Sequence, residues 1–322
     1  MSYYTTVFND CQEVLQVLHD KPANGRRERP WAAQKLMNGY LALAYDVVEP
    51  RKAERLRGCA TWLQFAKGET GLKLHNANFC RVRLCPVCAW RRALKTYGQV
   101  RAIMAELGDS YRYIFLTLTV RNCDGDDLGS TITQLAQGFN RLMKYKSVSK
   151  IVKGYYRGIE VTHNVDNDTY HPHIHALLAV NPSYFTSRDY LRHDKWLALW
   201  RRAAQDSSIT QVDVRTIKGA AEHACAEVAK YAVKPGDVIC FDDWDLTVRT
   251  VAVLDRALAS RRLIGFGGCF ADAHKRLHLD DVEDGDLTHV ETDVTAADDV
   301  DLITYAWHTG YSQYVRKFSS MQ

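Results

Sequence analysis

The sequence predicts an α+β protein, an antiparallel central sheet with helices on one face, preceded by an N-terminal zinc-binding helical module. Three observations predict it. Strand and helix signals follow one another from residue 111 in the order β-α-β-β-α-β-α, which suits an antiparallel sheet with helices packed on it. Two of those strands, Tyr155–His163 and His171–Leu178, are separated only by the Asn- and Asp-rich segment Asn164–Tyr170, a hairpin signal. Upstream, Cys80, Cys85 and Cys88 have the spacing of metal ligands. Helices on one face leave the other open for a substrate.

Composition sets the bounds. With 322 residues, 46% hydrophobic and 25% charged, the chain is long enough for one large domain or two modest ones. The expected divisions are a helical region over 1–50, a Cys-rich zinc module over 51–108, the sheet domain over 109–240, and a C-terminal extension with an acidic tail over 241–322. No apolar run has membrane-spanning length, and Asn9, Asp10, Gln12 and Glu13 interrupt any signal-peptide pattern. A cytoplasmic location without a membrane partner is expected. Nine cysteines, four of them crowded in ligand spacing, suit a reducing compartment better than a disulfide framework. The net charge of +4 hides an asymmetry: residues 276–322 hold three Lys/Arg against ten Asp/Glu, leaving 39 against 28 elsewhere. A basic body with an acidic tail points to nucleic acid as partner.

In chain order, Arg26–Pro30 reads as a charged linker and Trp31–Tyr45 as a helix whose apolar positions are core. Cys85-Pro-Val-Cys88 is a tight thiolate knuckle, Cys80 lies five residues upstream, and Cys59 supplies a fourth sulfur, with His75 the competitor. Four sulfurs around Zn²⁺ make a closed structural site. A redox dithiol is the other reading of Cys-x-x-Cys, but no thioredoxin-like βαβ pattern surrounds it. Arg81, Arg83, Arg91, Arg92 and Lys95 flank the knuckle and suit phosphate contacts.

The sheet domain begins with Tyr111–Val120, β-branched and aromatic with alternation, and continues with an amphipathic helix over Asp126–Tyr145. In the hairpin that follows, period-two alternation puts His171, His173 and His175 on one face and Pro172, Ile174, Ala176 and Leu178 on the other. His173 and His175 can share one divalent ion. By the same parity Glu160 faces them from Tyr155–His163, because Ile159 and Val161 face the helices; His163, of the wrong parity, is the alternative third ligand. Two imidazoles and a carboxylate suit Mg²⁺ or Mn²⁺. Ser187–Ala204 reads as a helix, Thr210–Ile217 as a strand, and Gly219–Val233 as a helix stopped by Pro235. On that last helix Glu227, Tyr231 and Lys234 share a face. A phenol attacks a phosphodiester when a metal polarises it and a cation lies near; Glu227 can serve as general base on water.

Phe115-Leu-Thr-Leu-Thr119, His171-Pro-His-Ile-His175 and Glu227-Val-Ala-Lys-Tyr231-Ala-Val-Lys234 stand in the order and rough spacing of the three motifs of rolling-circle replication initiators, the HUH endonucleases. A Glu four residues before a single Tyr, after a Cys-x4-Cys-Pro-x-Cys segment, resembles the Rep proteins of small plasmids. Leu263-Ile-Gly-Phe-Gly-Gly268 resembles that family's downstream segment. The resemblance covers roughly Cys59 to Leu277. It implies the HUH fold and a metal-dependent nick at origin DNA, single-stranded or hairpin. Tyr231 would take a 5′-phosphotyrosine link and release a 3′-OH primer, Glu227 would end the cycle by activating water, and Lys234 or Lys230 would neutralise phosphate charge. A host helicase and single-strand-binding protein are implied as partners. A transposase or mobilisation relaxase with the same chemistry, and a noncatalytic zinc-containing nucleic-acid-binding protein, are the alternatives.

Overall fold

In the computed structural model, residues 6–8, 14–21, 28–68, 71–217, 233–290 and 301–318 are described. They divide into two units, one within 1–91 and 286–322 and the other within 92–285.

The first unit is organised around Trp31. Helix α1 (Trp31–Val48) continues through Glu49 into α2 (Pro50–Gly58), where proline sits in the first turn at no hydrogen-bond cost. Strands β3 (Trp62–Gly68), β4 (Gly71–Ala77), β10 (Leu302–His308) and β11 (Gln313–Arg316) form an antiparallel sheet in the order β11-β10-β3-β4. Residues 302–316 are thus built into one sheet with β3 and β4. A short pair, β1 (Thr6–Phe8) and β2 (Val14–Gln16), makes a separate two-stranded sheet whose β2 end is tied to β11 by a bridge between Val17 and Val315. The Trp31 ring meets Phe65 and Trp90 edge-on at 6.2 and 4.7 Å and stacks on Phe79 at 6.5 Å. Its indole N–H donates to Asp20 Oδ2 at 2.8 Å, so the buried ring leaves no polar atom unpaired.

Helix α3 (Pro86–Leu107) crosses the boundary between the units. In the second unit, β5 (Arg112–Thr119), β6 (Val152–Asn164), β7 (Thr169–Val180), β8 (Val212–Thr216) and β9 (Ile264–Gly268) form a five-stranded antiparallel sheet in the order β8-β5-β7-β6-β9. The histidine strand β7 is therefore central, held by hydrogen bonds on both edges. The β6–β7 hairpin closes over residues 165–168, with Asp168 at φ +46°. On one face, α4 (Leu128–Lys144) and α6 (His193–Ala204) pack together and cover the sheet. Gly138 permits this, since a Cβ there would sit 3.1 Å from the Trp200 ring. A short turn α5 (Lys146–Ser149) links α4 to β6, and α7 (Trp244–Leu258) leads into β9.

The expectation of helices on one face is corrected. The C-terminal part of α3 and helix α8 (Cys269–Arg276) cover part of the opposite face, where Val100, Ile103, Met104, Leu107, Phe270 and Ala273 bury Phe115, Tyr156, Leu177 and Ala179. The reason lies in β7 itself. Leu177 and Ala179 share a face with His171, His173 and His175, so that face turns from polar to apolar halfway along the strand and its second half needs a cover. The helix expected over Gly219–Val233 lies, but for Val233, outside the described residues.

Candidate metal centres and active site

The two groups of candidate ligands can be built from strand register and helix start. Glu160 lies directly opposite His173, and His175 opposite Thr117 of β5. All four side chains therefore rise from one face of three adjacent strands. His175 Nε2 is 3.1 Å from both His173 Nε2 and Glu160 Oε2, and His173 Nε2 is 3.4 Å from the same oxygen. Ligands about 2.1 Å from an octahedral ion lie about 3.0 Å apart, so one divalent cation fits among these atoms.

The other ring nitrogens are already engaged. His173 Nδ1–H donates to the His171 carbonyl at 3.2 Å, and His175 Nδ1 lies 3.2 Å from Thr117 Oγ1, so the Nε2 edge of each ring turns to the centre. With both Nε2 atoms deprotonated, two lone pairs and a carboxylate would face one point and favour a cation there. Burial alone would raise the Glu160 carboxyl, but hydrogen bonds and charge from His173 and His175 outweigh it and hold it well below the usual range. Lys234 Nζ approaches the outer oxygen, Glu160 Oε1, at 3.7 Å. The Phe115 ring stacks on His175 at 5.4 Å and joins the centre to the apolar cluster behind it.

His163, the alternative third ligand, is turned to the opposite face. There its Nε2 is 2.9 Å from Asp168 Oδ1 and its ring stacks on Tyr170 at 4.7 Å. His171 bonds to Asn122 Oδ1 through Nδ1 at 2.9 Å, and it stands outside the group of three. Glu227, Lys230 and Tyr231 lie outside the described residues; Lys234 is the described member of that constellation.

In the first unit Cys59, Cys80, Cys85 and Cys88 converge. Sulfur separations are 3.6 Å for Cys59–Cys88 and Cys59–Cys85 and 3.7 Å for Cys80–Cys88. Sulfurs about 2.3 Å from a tetrahedral zinc lie about 3.8 Å apart, so the cage has the size of that site and none of these pairs is a disulfide. Backbone N–H groups of Cys80, Arg81 and Val82 donate to sulfurs of Cys59, Cys88 and Cys80 at 3.3–3.4 Å. Arg81, at φ +58°, turns the chain so that these donors point inward. Contact with Cys80 pushes the Cys59 thiol up, and burial does the same to Cys85; a divalent cation held by the four sulfurs would reverse both effects. His75, the competitor for the fourth position, is exposed on β4 and does not join the cluster.

Two residues of this shell escaped sequence reading. Lys35, only 6% exposed, donates to the carbonyls of Cys59 at 2.5 Å and Arg57 at 2.8 Å, and Asn38 Oδ1 lies 3.3 Å from Cys85 Sγ. Their only signal was polarity in an otherwise apolar helix face. The phosphate-gripping role expected of the flanking cations is corrected for three of them. Arg91 donates to the carbonyls of Leu287 and Thr288, Arg92 to that of Glu283, and Lys95 pairs with Asp280 at 2.5 Å. These cations are drawn inward by an acidic return of the chain.

With this geometry in place, comparison with known proteins is informative. The sequence model of the family described as Replication protein matches residues 71–315. "Protein rep" from Bacillus amyloliquefaciens is 40% identical, with 94% of this chain and 97% of that protein covered. "Protein rep" from Streptococcus pneumoniae serotype 2 is 36% identical over 94% of this chain and 96% of its own length. "Protein rep" from Lactiplantibacillus plantarum is 37% identical over 85% and 90%. No solved structure matches the chain. A family match that spans three of the four cage cysteines and the histidine strand, with relatives aligned nearly end to end, places this chain in the replication protein family, the Rep initiators that its motifs resemble.

Proposed function

We propose that the chain initiates rolling-circle replication of a small plasmid by nicking origin DNA with a tyrosine. The observation that carries the reading is the convergence of Glu160, His173 and His175 on one point, with both Nδ1 atoms tied off. A Mg²⁺ or Mn²⁺ ion held there supplies Lewis-acid polarisation of a phosphate oxygen. The Tyr231 oxygen attacks phosphorus, the bond to the 3′ oxygen breaks, and the strand ends as a 5′-phosphotyrosine and a free 3′-OH. Lys234, already beside Glu160, or Lys230 faces the charge that develops on the phosphate. For termination Glu227 takes a proton from water, and that water in place of a tyrosine makes the second cleavage by hydrolysing the phosphodiester. The four cysteines hold a structural Zn²⁺. A host helicase and single-strand-binding protein would work on the opened template. Relatives called Rep favour an initiator over a transposase or relaxase.

The test is to incubate the full chain with end-labelled single-stranded DNA of randomised sequence and Mn²⁺, then look for label on protein in a denaturing gel. A covalent band absent from Tyr231→Phe is the expected outcome, with DNA retention near normal in the variant. A band of equal strength in Tyr231→Phe removes this nucleophile. DNA retention without a band, on supercoiled DNA as well, leaves a noncatalytic binding protein.

A further inference from the structure

Residues 128–159 hold six Lys and Arg and no Asp or Glu. Two of the six are used inside the fold: Arg141 donates to the Ala203 carbonyl at 2.7 Å and Arg157 to that of Leu263 at 3.4 Å. The other four, Lys144, Lys146, Lys150 and Lys153, are exposed where α4 ends, α5 makes its single turn and β6 begins. Lys146 and Lys150 are four apart on that turn, closed by the Lys150 N–H on the Lys146 carbonyl at 3.2 Å, so their side chains share a side. Lys150 and Lys153 line a cavity of about 280 Å³ together with Asn181, Ser183, Ser187 and Asp189, which follow β7. Lys150 pairs with Asp189 at 2.7 Å, and Lys153 Nζ donates to the Lys150 carbonyl at 2.9 Å. Four cations against this one acid leave the corner strongly basic. The dipole of α4 accounts for Lys144 at its C-terminus, but not for Lys153 on a strand.

We infer that this corner is a contact surface for the phosphate backbone of double-helical DNA, with the cavity seating one phosphate. Charge fixes the class of partner, because cations projecting from three consecutive elements match a regularly spaced polyanion. The hydroxyls of Ser183 and Ser187 and the Asn181 amide add hydrogen-bonding groups on the cavity wall, suited to phosphate oxygens. A duplex is favoured over a single strand because the wall offers no stacking platform: among the described residues its one ring, Tyr184, is 3% exposed. The distance to the metal centre also suits a duplex. Six residues of chain separate His175 from Asn181, about 20 Å at about 3.3 Å per residue, the length of about six base pairs. A duplex gripped here flanks the metal centre rather than entering it. Only the partner, DNA, is taken from the initiator reading; the tyrosine chemistry plays no part.

Fluorescence anisotropy of the full chain with a labelled duplex of randomised sequence, over a series of salt concentrations and without added Mn²⁺, measures the contact. Combined Lys146→Ala, Lys150→Ala and Lys153→Ala should lower the slope of log Kd against log salt by about 2 to 3, at about 0.9 per phosphate contact, and weaken binding in low salt by about tenfold or more. Lys150→Arg with Lys153→Arg should retain both, and circular dichroism should be unchanged in each variant. Lys21→Ala, Lys67→Ala and Lys73→Ala, three exposed lysines of the first unit, remove the same charge and should change the slope by less than about 1. A wild-type chain that does not bind the duplex overturns the proposal, as does an unchanged slope in the Lys146, Lys150 and Lys153 variant. An equal loss in the first-unit variant reduces the effect to net charge and overturns it too. AMP in excess at constant ionic strength should leave duplex binding intact; displacement by AMP would make the cavity a site for a free nucleotide. Phosphatidylserine vesicles released by the variant while the duplex stays bound would assign the corner to a membrane instead. Each of these outcomes leaves the adduct assay with Tyr231 standing, and a missing adduct leaves the slope measurement standing.

Discussion

A histidine ligand has two ring nitrogens, and what holds the one decides where the other points. Thr117 holds His175 from β5, and the His171 carbonyl holds His173 from its own strand. Replacing Thr117 by valine keeps the shape and removes the hydroxyl. Mn²⁺ affinity, measured by titration of the full chain, should fall by about 10- to 100-fold, with Thr117→Ser retaining most of it. Unchanged affinity in Thr117→Val would mean that the hydroxyl does not orient the ring. Lys35 plays a comparable part at the cysteine cage. Burial pulls its pKa down, and charge on Cys59, Cys85 and Cys80 opposes that shift only in part. Lys35→Met leaves two buried carbonyls without their donor and should cost about 1–3 kcal/mol. Faster loss of zinc to a chelator is the expected readout. The parity of the strands made Glu160, His173 and His175 legible in the sequence; neither Thr117 nor Lys35 was, because each acts on a ligand that belongs to a different element.

Elements were legible wherever one face alone is buried. The helix expected over Asp126–Tyr145 runs Leu128–Lys144, and the strand expected over Tyr111–Val120 runs Arg112–Thr119. The pattern was harder to read where a surface changes character along its length. Leu177-Leu-Ala-Val180 is apolar on both faces, a sign of two-sided burial, and its cover comes from α3 and α8, far away in the sequence. Helix α8 is positioned by Gly268, at φ +55°, where a Cβ would collide with the Lys153 carbonyl. Phe270 on that helix is fully buried. Phe270→Ala should destabilise the second unit by about 3–5 kcal/mol. Chemical denaturation checks this, and a loss under 1 kcal/mol would show that α8 does not hold that face. The ring belongs to the same cluster as Phe115, so the support beneath His175 is expected to loosen with it.

At the scale of the whole chain, the acidic C-terminal region has a structural use. Asp280 takes the buried Lys95, Arg91 reaches the carbonyls of Leu287 and Thr288, and β10 enters the sheet beside β3. Stripping metal from the cysteine cage with a strong thiol-competitive chelator should therefore expose amides in β3 and β10 to hydrogen exchange, although β10 lies more than 200 residues beyond Cys88. Persisting protection there would count against a structural zinc. Among the described residues no helix is long and apolar enough to cross a membrane. Taken alone, the sequence determined what covalent geometry controls: which side chains of a strand share a face, where helices begin, and that four cysteines and a His-x-His have ligand spacing. Tertiary structure alone decided that Cys59 rather than His75 closes the cage. It also turned Arg91, Arg92 and Lys95 inward. The reason is range: periodicity is set within a few residues, whereas a charge or ring nitrogen takes whatever partner the fold brings within about 3 Å, and for Lys95 that partner is 185 residues away.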